Sequence, residues 1–338
     1  MSTKKDKFSS KDKNFMKLAF NLARSRKGLT GDNPSVGCVI VKKNKIVSIG
    51  RTGFNGRPHA EYNAIANSYD NLNGSKMYVT LEPCNHYGKT PPCTQKIVKS
   101  GICEVYYPSN DIDKKVKGKS FKILSKNKIK VHKGILVKES KDFYKSYNIN
   151  RNSKIPFVTG KIAVAKNNMI YSKSNRKITN KYSDKFTHFL RYKNDSILIT
   201  YKTLNKDNPK LNCRLKGLEH FSPKRIILDN KLETDLNSYI IRTANSNNTL
   251  IFYNEAKKSK ILEFKKKKVF LLKSKLHKNK NFDFKMILKK IFKYGCRNLL
   301  VEGGALLTGK LLRKKFFNEF YLFRGIKKIP KSPGYLAF

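Results

Sequence analysis

The sequence predicts an α/β protein built as two consecutive domains. Short apolar runs of strand length alternate with amphipathic helical segments along the whole chain. The 338 residues suffice for two separate cores. A polar stretch at 150–155 ends at Pro156 and marks a boundary, giving domains over 1–150 and 151–338.

In the first half, Phe15, Leu18, Ala19, Leu22 and Ala23 recur at helical spacing, predicting a helix over 11–25 that ends near Gly28. A turn at Asn33-Pro34 leads into Val36–Val41, a nearly continuous apolar run that reads as a buried strand, and Lys42–Lys45 turns into a second strand, Ile46–Gly50. His59 opens a helix over 59–69. Met77–Leu81 is a strand, a helix follows at about 93–100, and Val105–Tyr107 and Ile129–Val131 are further strands before a helix over 139–149. This order predicts a three-layer sandwich with helices on both faces of the sheet.

The second half continues the alternation. Strands are expected at Phe157–Ala165, Ser196–Thr200, Arg225–Leu228, Leu250–Tyr253 and Val269–Leu272, and helices at Tyr182–Tyr192 and Met286–Tyr294. Asn298-Leu-Leu-Val-Glu302-Gly303-Gly304 is a strand that ends in paired glycines and opens a helix, Ala305–Arg313. Backbone N–H groups at such a helix start can cradle a phosphate, although a Gly-Gly turn before a helix is also an ordinary structural device.

Composition sets further limits. Lys+Arg number 74 against 23 Asp+Glu, a formal charge of +51. Nucleic-acid-binding surfaces cluster their cations, whereas these lysines spread evenly and accompany abundant Asn, Ile, Phe and Tyr, so genome composition explains the excess and no nucleic-acid partner is expected. Six scattered cysteines do not make a disulfide scaffold in a chain of this size. The N-terminus has no apolar core of signal-peptide length, and no run approaches eighteen apolar residues. A soluble cytoplasmic protein without membrane contact is expected, with homo-oligomerisation left open.

Residues 57–93 carry the chemistry. His59, Cys84 and Cys93 are three ligand types that tetrahedral Zn²⁺ prefers, and a catalytic zinc keeps its fourth position for water. Glu61, two residues after the histidine, is the candidate to move that water's proton; His-x-Glu followed by Pro-Cys is the signature of zinc deaminases. A lone His-x-Glu or cysteine pair is more often structural, and it is the ordered combination that points to a site. Eight residues separate the cysteines, so the stretch between them forms a loop and not a tight knuckle.

Asn33-Pro-Ser-Val-Gly-Cys-Val-Ile-Val41, Pro58-His-Ala-Glu61, Thr80-Leu-Glu-Pro-Cys84 and Gly88-Lys-Thr-Pro-Pro-Cys93 resemble the deaminase half of the bifunctional riboflavin-biosynthesis deaminase/reductase family. The resemblance implies a cytidine-deaminase-like first domain with zinc on His59, Cys84 and Cys93, Glu61 as proton shuttle, and a substrate pocket lined by Asn33, His86, Lys89 and Asp111, where Lys89 would meet a ribose phosphate. Two positions depart from the pattern: Thr52 stands where many members have histidine, and Asp113 where they have asparagine.

Lys161, Ile178-Thr179, His188-Phe-Leu-Arg191, Thr203, Asp207-Asn-Pro-Lys-Leu211, Arg214 and Glu302-Gly-Gly resemble that family's reductase half, which implies a dihydrofolate-reductase-like second domain that uses NADPH. By this resemblance Arg191, Leu211, Arg214 and Glu302 hold the substrate. Thr203, Asp207 and the run Gly304, Ala305, Leu306, Leu307, Thr308, Gly309 and Lys310 contact NADPH, together with Ala163 and Lys177, which replace the family's glycine and tryptophan. The family's Ser-Leu-Asp-Gly is here Ala165-Lys-Asn-Asn168, and the domain is expected to be short at its C-terminus.

The implied activity is zinc-dependent hydrolytic deamination of a diaminopyrimidinone ribosyl phosphate, followed by NADPH reduction of the ribosyl to a ribityl chain. Two alternatives are a nucleic-acid-editing deaminase with a C-terminal binding module, against which the even lysine spread speaks, and a deaminase with an inactive reductase domain.

Overall fold

The computed structural model describes residues 7–170, 178–277 and 281–329. The chain divides into two compact units, Met1–Ser153 and Lys154–Phe338.

The first unit contains α1 (Ser10–Arg26), β1 (Gly37–Lys42), β2 (Lys45–Arg51), α2 (Ala60–Ala66), β3 (Lys76–Val79), α3 (Cys93–Lys99), β4 (Glu104–Tyr107), α4 (Lys119–Lys126), β5 (Lys130–Lys133), α5 (Val137–Phe143) and α6 (Lys145–Ser153). The strands form one sheet in the order β2-β1-β3-β4-β5. β1 runs antiparallel to β2 and β3, while β3, β4 and β5 are parallel. The hairpin turn is made by Lys43 and Asn44, both at positive φ (47° and 60°), as a two-residue connection requires.

Two glycines set the layers. A Cβ on Gly37 would lie 1.9 Å from the Ala19 carbonyl oxygen of α1, and one on Gly50 would lie 2.2 Å from the Ala60 oxygen of α2. Gly50 pairs with Cys38, the neighbour of Gly37, so the two helices seat on opposite faces of the sheet. α1 begins with a capping box, Ser9 accepting from Asp12 N and Asp12 from Ser9 N. Its Met16, Ala19, Phe20 and Ala23 are buried. Each large apolar side chain so covered contributes about 1.5–3 kcal/mol.

The second unit contains β6 (Phe157–Val164), α7 (Lys181–Lys193), β7 (Ser196–Thr200), α8 (Tyr201–Asp207), β8 (Lys224–Leu228), α9 (Tyr239–Arg242), β9 (Thr249–Tyr253), α10 (Lys258–Lys266), β10 (Phe270–Lys273), α11 (Phe284–Lys293), β11 (Asn298–Val301), α12 (Ala305–Arg313) and β12 (Glu319–Arg324). Its sheet runs β10-β9-β8-β7-β11-β6-β12 with every strand pair parallel. Side chains alternate between two cores. Leu198, Ile226, Leu250 and Leu299 pack with Ile287 and Ile291 of α11, while Ile197, Ile199, Ile227 and Ile251 pack with Phe264 of α10 and Ile240 of α9. A parallel sheet covered on both faces accounts for strands that read as unbroken apolar runs.

The structure departs from the sequence reading in several elements. The helix expected over 139–149 is two helices, α5 and α6, broken at Tyr144, which leaves helical geometry (φ −87°, ψ 9°) and buries its ring. The helix expected over 59–69 stops at Ala66. α4, α8, α9, α10 and β12 were not anticipated; α4 and α10 each carry three or more lysines, which blur the apolar stripe, and β12 is a half-exposed edge strand. Among the described residues, no helix is long and apolar enough to cross a membrane.

Candidate active site

In the first unit the site is assembled from the ends of three elements. His59 is the N-cap of α2, in extended geometry (φ −70°, ψ 158°), and Cys93 is the first residue of α3. Cys84 lies in the connection after β3. It is tied to α3 by two hydrogen bonds: Cys93 N donates to Cys84 Sγ (3.2 Å) and Thr94 N to the Cys84 carbonyl oxygen (3.1 Å). The eight residues between the cysteines therefore leave and return at one place.

His59 Nδ1 lies 3.5 Å from Cys84 Sγ and 3.4 Å from Cys93 Sγ, and all three ligand atoms fall within 4.8 Å of one another. Zinc bonded at about 2.3 Å to sulfur and about 2.0–2.1 Å to nitrogen in a tetrahedron spaces those atoms by about 3.6 Å. The side chains present therefore fit the metal in distance and in donor type. A hydrogen bond with Cys93, assisted by His59, draws Cys84 down to about 4 against the opposing effect of burial, while hydrogen bonding to Cys84 holds the His59 imidazole above its ordinary value. Cys84 thus favours the thiolate that binds metal.

Glu61 lies in the first turn of α2 and is 4 % exposed. Burial pushes its carboxyl up to about 7, with Cys84 adding to the effect and His59 opposing it. A carboxyl poised there can hold or release a proton near neutrality.

A cleft of about 110 Å³ opens on this group, and Asn33, His86 and Asp111 line it with His59, Glu61 and Cys84. Asn33 is fixed by donating from Nδ2 to the Gly56 carbonyl oxygen (3.0 Å). His86 Nδ1 is buried and has no partner among the described residues. Asp111 accepts from Tyr147 Oη (3.0 Å) and Asp113 N (2.9 Å), and burial raises it above its ordinary value. Lys89 is exposed on the loop between the cysteines and does not line the cleft.

Sequence reasoning missed Arg57, Glu82, Tyr147 and Arg151, all of which line the same cleft. Glu82, 4 % exposed, accepts backbone N–H groups from Asp111 (3.1 Å), Gly118 (3.0 Å) and Ser120 (3.2 Å). Arg57 stands two residues before His59 and donates to the Thr90 hydroxyl. Its place beside the metal motif was a usable signal, as was that of Glu82 two residues before Cys84; Tyr147 and Arg151 had none, because their partners are distant in sequence. Thr52 also lines the cleft, accepting from Val36 N (2.8 Å) at the foot of β1.

In the second unit Arg191 of α7 and Glu302, just after β11, form a bidentate pair, Nε to Oε1 at 2.8 Å and Nη2 to Oε2 at 2.9 Å. Burial pushes Glu302 up, but Arg191, helped by Lys161 of β6, brings it below its ordinary value. Arg191 Nη1 also donates to the Asn212 carbonyl oxygen (3.2 Å), beside Leu211, which is buried at positive φ (55°), and exposed Arg214, whose Nη1 donates to Asn212 Oδ1 (3.0 Å). The structure thus gathers the expected substrate residues around one guanidinium.

Among the described residues, a Cβ added to Gly304, the N-cap of α12, would meet only Thr203 Oγ1, at 3.8 Å. The open space above this helix start, edged by a hydroxyl, fits a phosphate-bearing cofactor. Ala305, Leu306, Leu307, Thr308 and Gly309 follow in α12, and Lys310 Nζ donates to Asn281 Oδ1 (2.7 Å). Asp207 closes α8, and Ala163 lies in β6 opposite Phe323. Lys177 lies outside the described residues.

The family described as the cytidine and deoxycytidylate deaminase zinc-binding region matches residues 9–109, and the RibD C-terminal domain matches residues 160–325. The riboflavin biosynthesis protein RibD of Aquifex aeolicus (strain VF5) is 36% identical over 314 residues, which cover 92% of this chain and 86% of that protein. The chain belongs to the RibD family.

RibD of Actinobacillus pleuropneumoniae is 32% identical, over 92% of this chain and 83% of its own length. Among solved structures, Acinetobacter baumannii RibD superposes with a TM-score of 0.84 at 26% identity, covering 97% of this chain and 90% of that one. A Thermotoga maritima diaminohydroxyphosphoribosylaminopyrimidine deaminase/5-amino-6-(5-phosphoribosylamino)uracil reductase gives 0.80 at 29% identity, over 94% and 87%. As a RibD protein the chain is a bifunctional enzyme of riboflavin biosynthesis, with a zinc deaminase domain and a reductase domain that uses NADPH. This reading prevails over the nucleic-acid-editing and inactive-reductase alternatives.

Proposed function

We propose that the first domain, residues 1–150, deaminates a diaminopyrimidinone ribosyl phosphate and that the second, residues 151–338, reduces the ribosyl group of the product to ribityl. The substrate is taken as a small molecule and not as nucleic acid, in the cytoplasm. The observation that carries the reading is the His59–Cys84–Cys93 triangle, with edges of 3.4 and 3.5 Å at the histidine, beside buried Glu61.

His59, Cys84 and Cys93 would hold zinc, which when bound would supply a Lewis acid able to bring the pKa of water to roughly 7. Glu61 would take a proton from the water whose oxygen adds to the amino-bearing ring carbon and hand it to the amino nitrogen, so that the C–N bond breaks, ammonia leaves and the ring keeps the oxygen. Asn33, His86 and Asp111 orient the ring. His86 Nδ1, buried and unpartnered among the described residues, gains a partner when a polar ring edge enters.

In the second domain NADPH supplies hydride, and the protein supplies orientation and charge. Gly304 and Thr203 edge the space for the cofactor, and by the family resemblance Ala305–Lys310, Asp207 and Ala163 would contact it too. Arg191, held rigid by Glu302, presents its guanidinium face with Leu211 and Arg214 to the substrate.

Zinc content and ammonia release from the ribosylaminopyrimidine phosphate test the first step. Glu61→Gln keeps the metal and lowers turnover by about 10²–10⁴-fold, the usual worth of a positioned acid–base group. A zinc-loaded variant with wild-type turnover would remove Glu61 from the reaction. NADPH oxidation by the deaminated product tests the second step.

A further inference from the structure

Among the residues around Arg191 in the second unit, one polar side chain has no part in the substrate contacts. His188 lies on α7 one turn before Arg191, half-buried, and its Nδ1 faces the segment that carries Leu211 and Arg214. That nitrogen sits between two backbone groups of opposite character, the Asn212 carbonyl oxygen at 3.2 Å and the Arg214 N–H at 3.3 Å. It can serve only one of them at a time. With its proton on Nε2 the ring accepts from Arg214 N; with a proton on Nδ1 it donates to the Asn212 oxygen.

The surroundings choose the first state. The Asn212 oxygen already accepts from Arg191 Nη1 at 3.2 Å, whereas the Arg214 N–H has no other acceptor among the described residues. The segment is secured up to Cys213, whose N–H donates to Ser222 Oγ at 3.0 Å and whose Sγ lies 3.6 Å from the His188 carbonyl oxygen. The imidazole is therefore the last backbone clamp before the exposed Arg214 side chain. Burial, Arg191 and Arg214 hold His188 below its ordinary value, against the Asn212 carbonyl and Glu302. Asp184 stands one turn earlier on α7, and Lys161 of β6 acts on Glu302. The ring is thus neutral at neutral pH.

We propose that His188 is a positioning residue for the reduction step: as a neutral imidazole it fixes the segment that presents Arg214 to the substrate, and on protonation it releases that segment. This role rests on the assignment of Arg214 to the reductase substrate. Protonated Nδ1 becomes a donor, so the Arg214 N–H loses its acceptor while Nδ1–H competes with Arg191 for one carbonyl oxygen. Reduction weakens in acid through substrate binding and not through hydride transfer.

The test follows NADPH oxidation by the full chain with the deaminated product at pH 7.5 and pH 5.0, on protein whose circular dichroism is the same at both. The phosphate of the substrate titrates alike for every variant, so the ratio of variant to wild-type KM at one pH is what is read. His188→Asn keeps an acceptor where Nδ1 stands and cannot be protonated. We expect its KM to match wild type at pH 7.5 and to lie at least about threefold below wild type at pH 5.0, within the usual worth of one hydrogen bond, with kcat within about twofold. His188→Phe, a ring without an acceptor, raises KM about fivefold at pH 7.5 and converges on wild type at pH 5.0. His188→Ala repeats that measurement should the phenylalanine variant fold poorly. A His188→Asn ratio that does not change with pH would overturn the proposal. So would one that rises in acid, the sign expected if the imidazolium merely attracted the anionic substrate. Arg214→Ala separates this role from the reading beneath it: if it leaves KM unchanged, the assignment of Arg214 falls and the clamp with it, and if it raises KM while the His188 variants do not, only the clamp falls.

Discussion

Replacing Glu82 with glutamine tests how the cleft is held. The Glu82 carboxylate accepts three backbone N–H groups, Oε2 from Asp111 and Gly118 and Oε1 from Ser120, at 3.0–3.2 Å. Glutamine preserves the shape but offers one oxygen, so its amide must face at least one of those donors in a place only 4 % exposed. A hydrogen bond to a charged group contributes about 1.5–3 kcal/mol and an unpaired buried donor costs about 1–3 kcal/mol. With its best rotamer, which keeps the two bonds at Oε2, the variant loses about 2–4 kcal/mol. That corresponds to a fall of about 4–16 °C in the melting midpoint of a domain of this size. Because Asp111, Asp113 and Val116 on the same segment line the cleft, KM for deamination rises as well. The assay is thermal unfolding of the zinc-loaded chain followed by ammonia-release kinetics. A midpoint within about 2 °C of wild type, with unchanged KM, would refute the claim that this carboxylate organises the loop.

Two further outcomes are expected. Burial pushes Asp12 up, but the Ser9 and Tyr78 hydroxyls, the Ser9 backbone and Lys76 more than offset it, so its folded value lies below the unfolded one. The stability it contributes is therefore present above the unfolded value, about 3.9, and is lost as pH falls through the folded one. Asp12→Asn should cost about 1 kcal/mol at pH 6, the usual net worth of a hydrogen bond. Urea titrations should show that gap narrowing toward pH 3.5; a gap constant with pH would mean that the charge plays no part. Chelating zinc should expose Cys84 to alkylation, because it is half-buried and favours the thiolate, whereas Cys103, already exposed, labels equally with and without metal. Mass spectrometry of iodoacetamide-treated protein decides this, and equal labelling of Cys84 in both states would count against its role as a ligand.

The parts of this molecule legible in the sequence are those specified by neighbouring residues. β1 and β7 are continuous apolar runs because both faces of their strands are covered, and α1 shows its stripe plainly. The metal triangle was legible because ligand type and order are a local pattern. Glu82 stood in the motif before Cys84, but its role was not legible, since its partners are N–H groups 29 to 38 residues downstream, which no side-chain pattern reports. Arg151 lay hidden for a related reason: in a chain with 74 basic residues one more arginine carries no signal until its helix brings it to Asp113. The break at Tyr144 was likewise invisible, because the sequence on either side is equally helical, and what anchors the residue is its hydroxyl's contacts with Thr80 (2.6 Å) and the Ser35 carbonyl oxygen (3.1 Å).

The loop between the two cysteines is pinned at its feet by Cys93 N on Cys84 Sγ and Thr94 N on the Cys84 oxygen. Those clasps keep the ligand spacing independent of whatever is strung between them, and doubling the length of such a loop costs only about 0.6 kcal/mol. Evolution or an engineer can thus rewrite the rim of the pocket, in composition or in length, as a detachable module. The ion's surroundings would stay as they were while the range of molecules admitted changed.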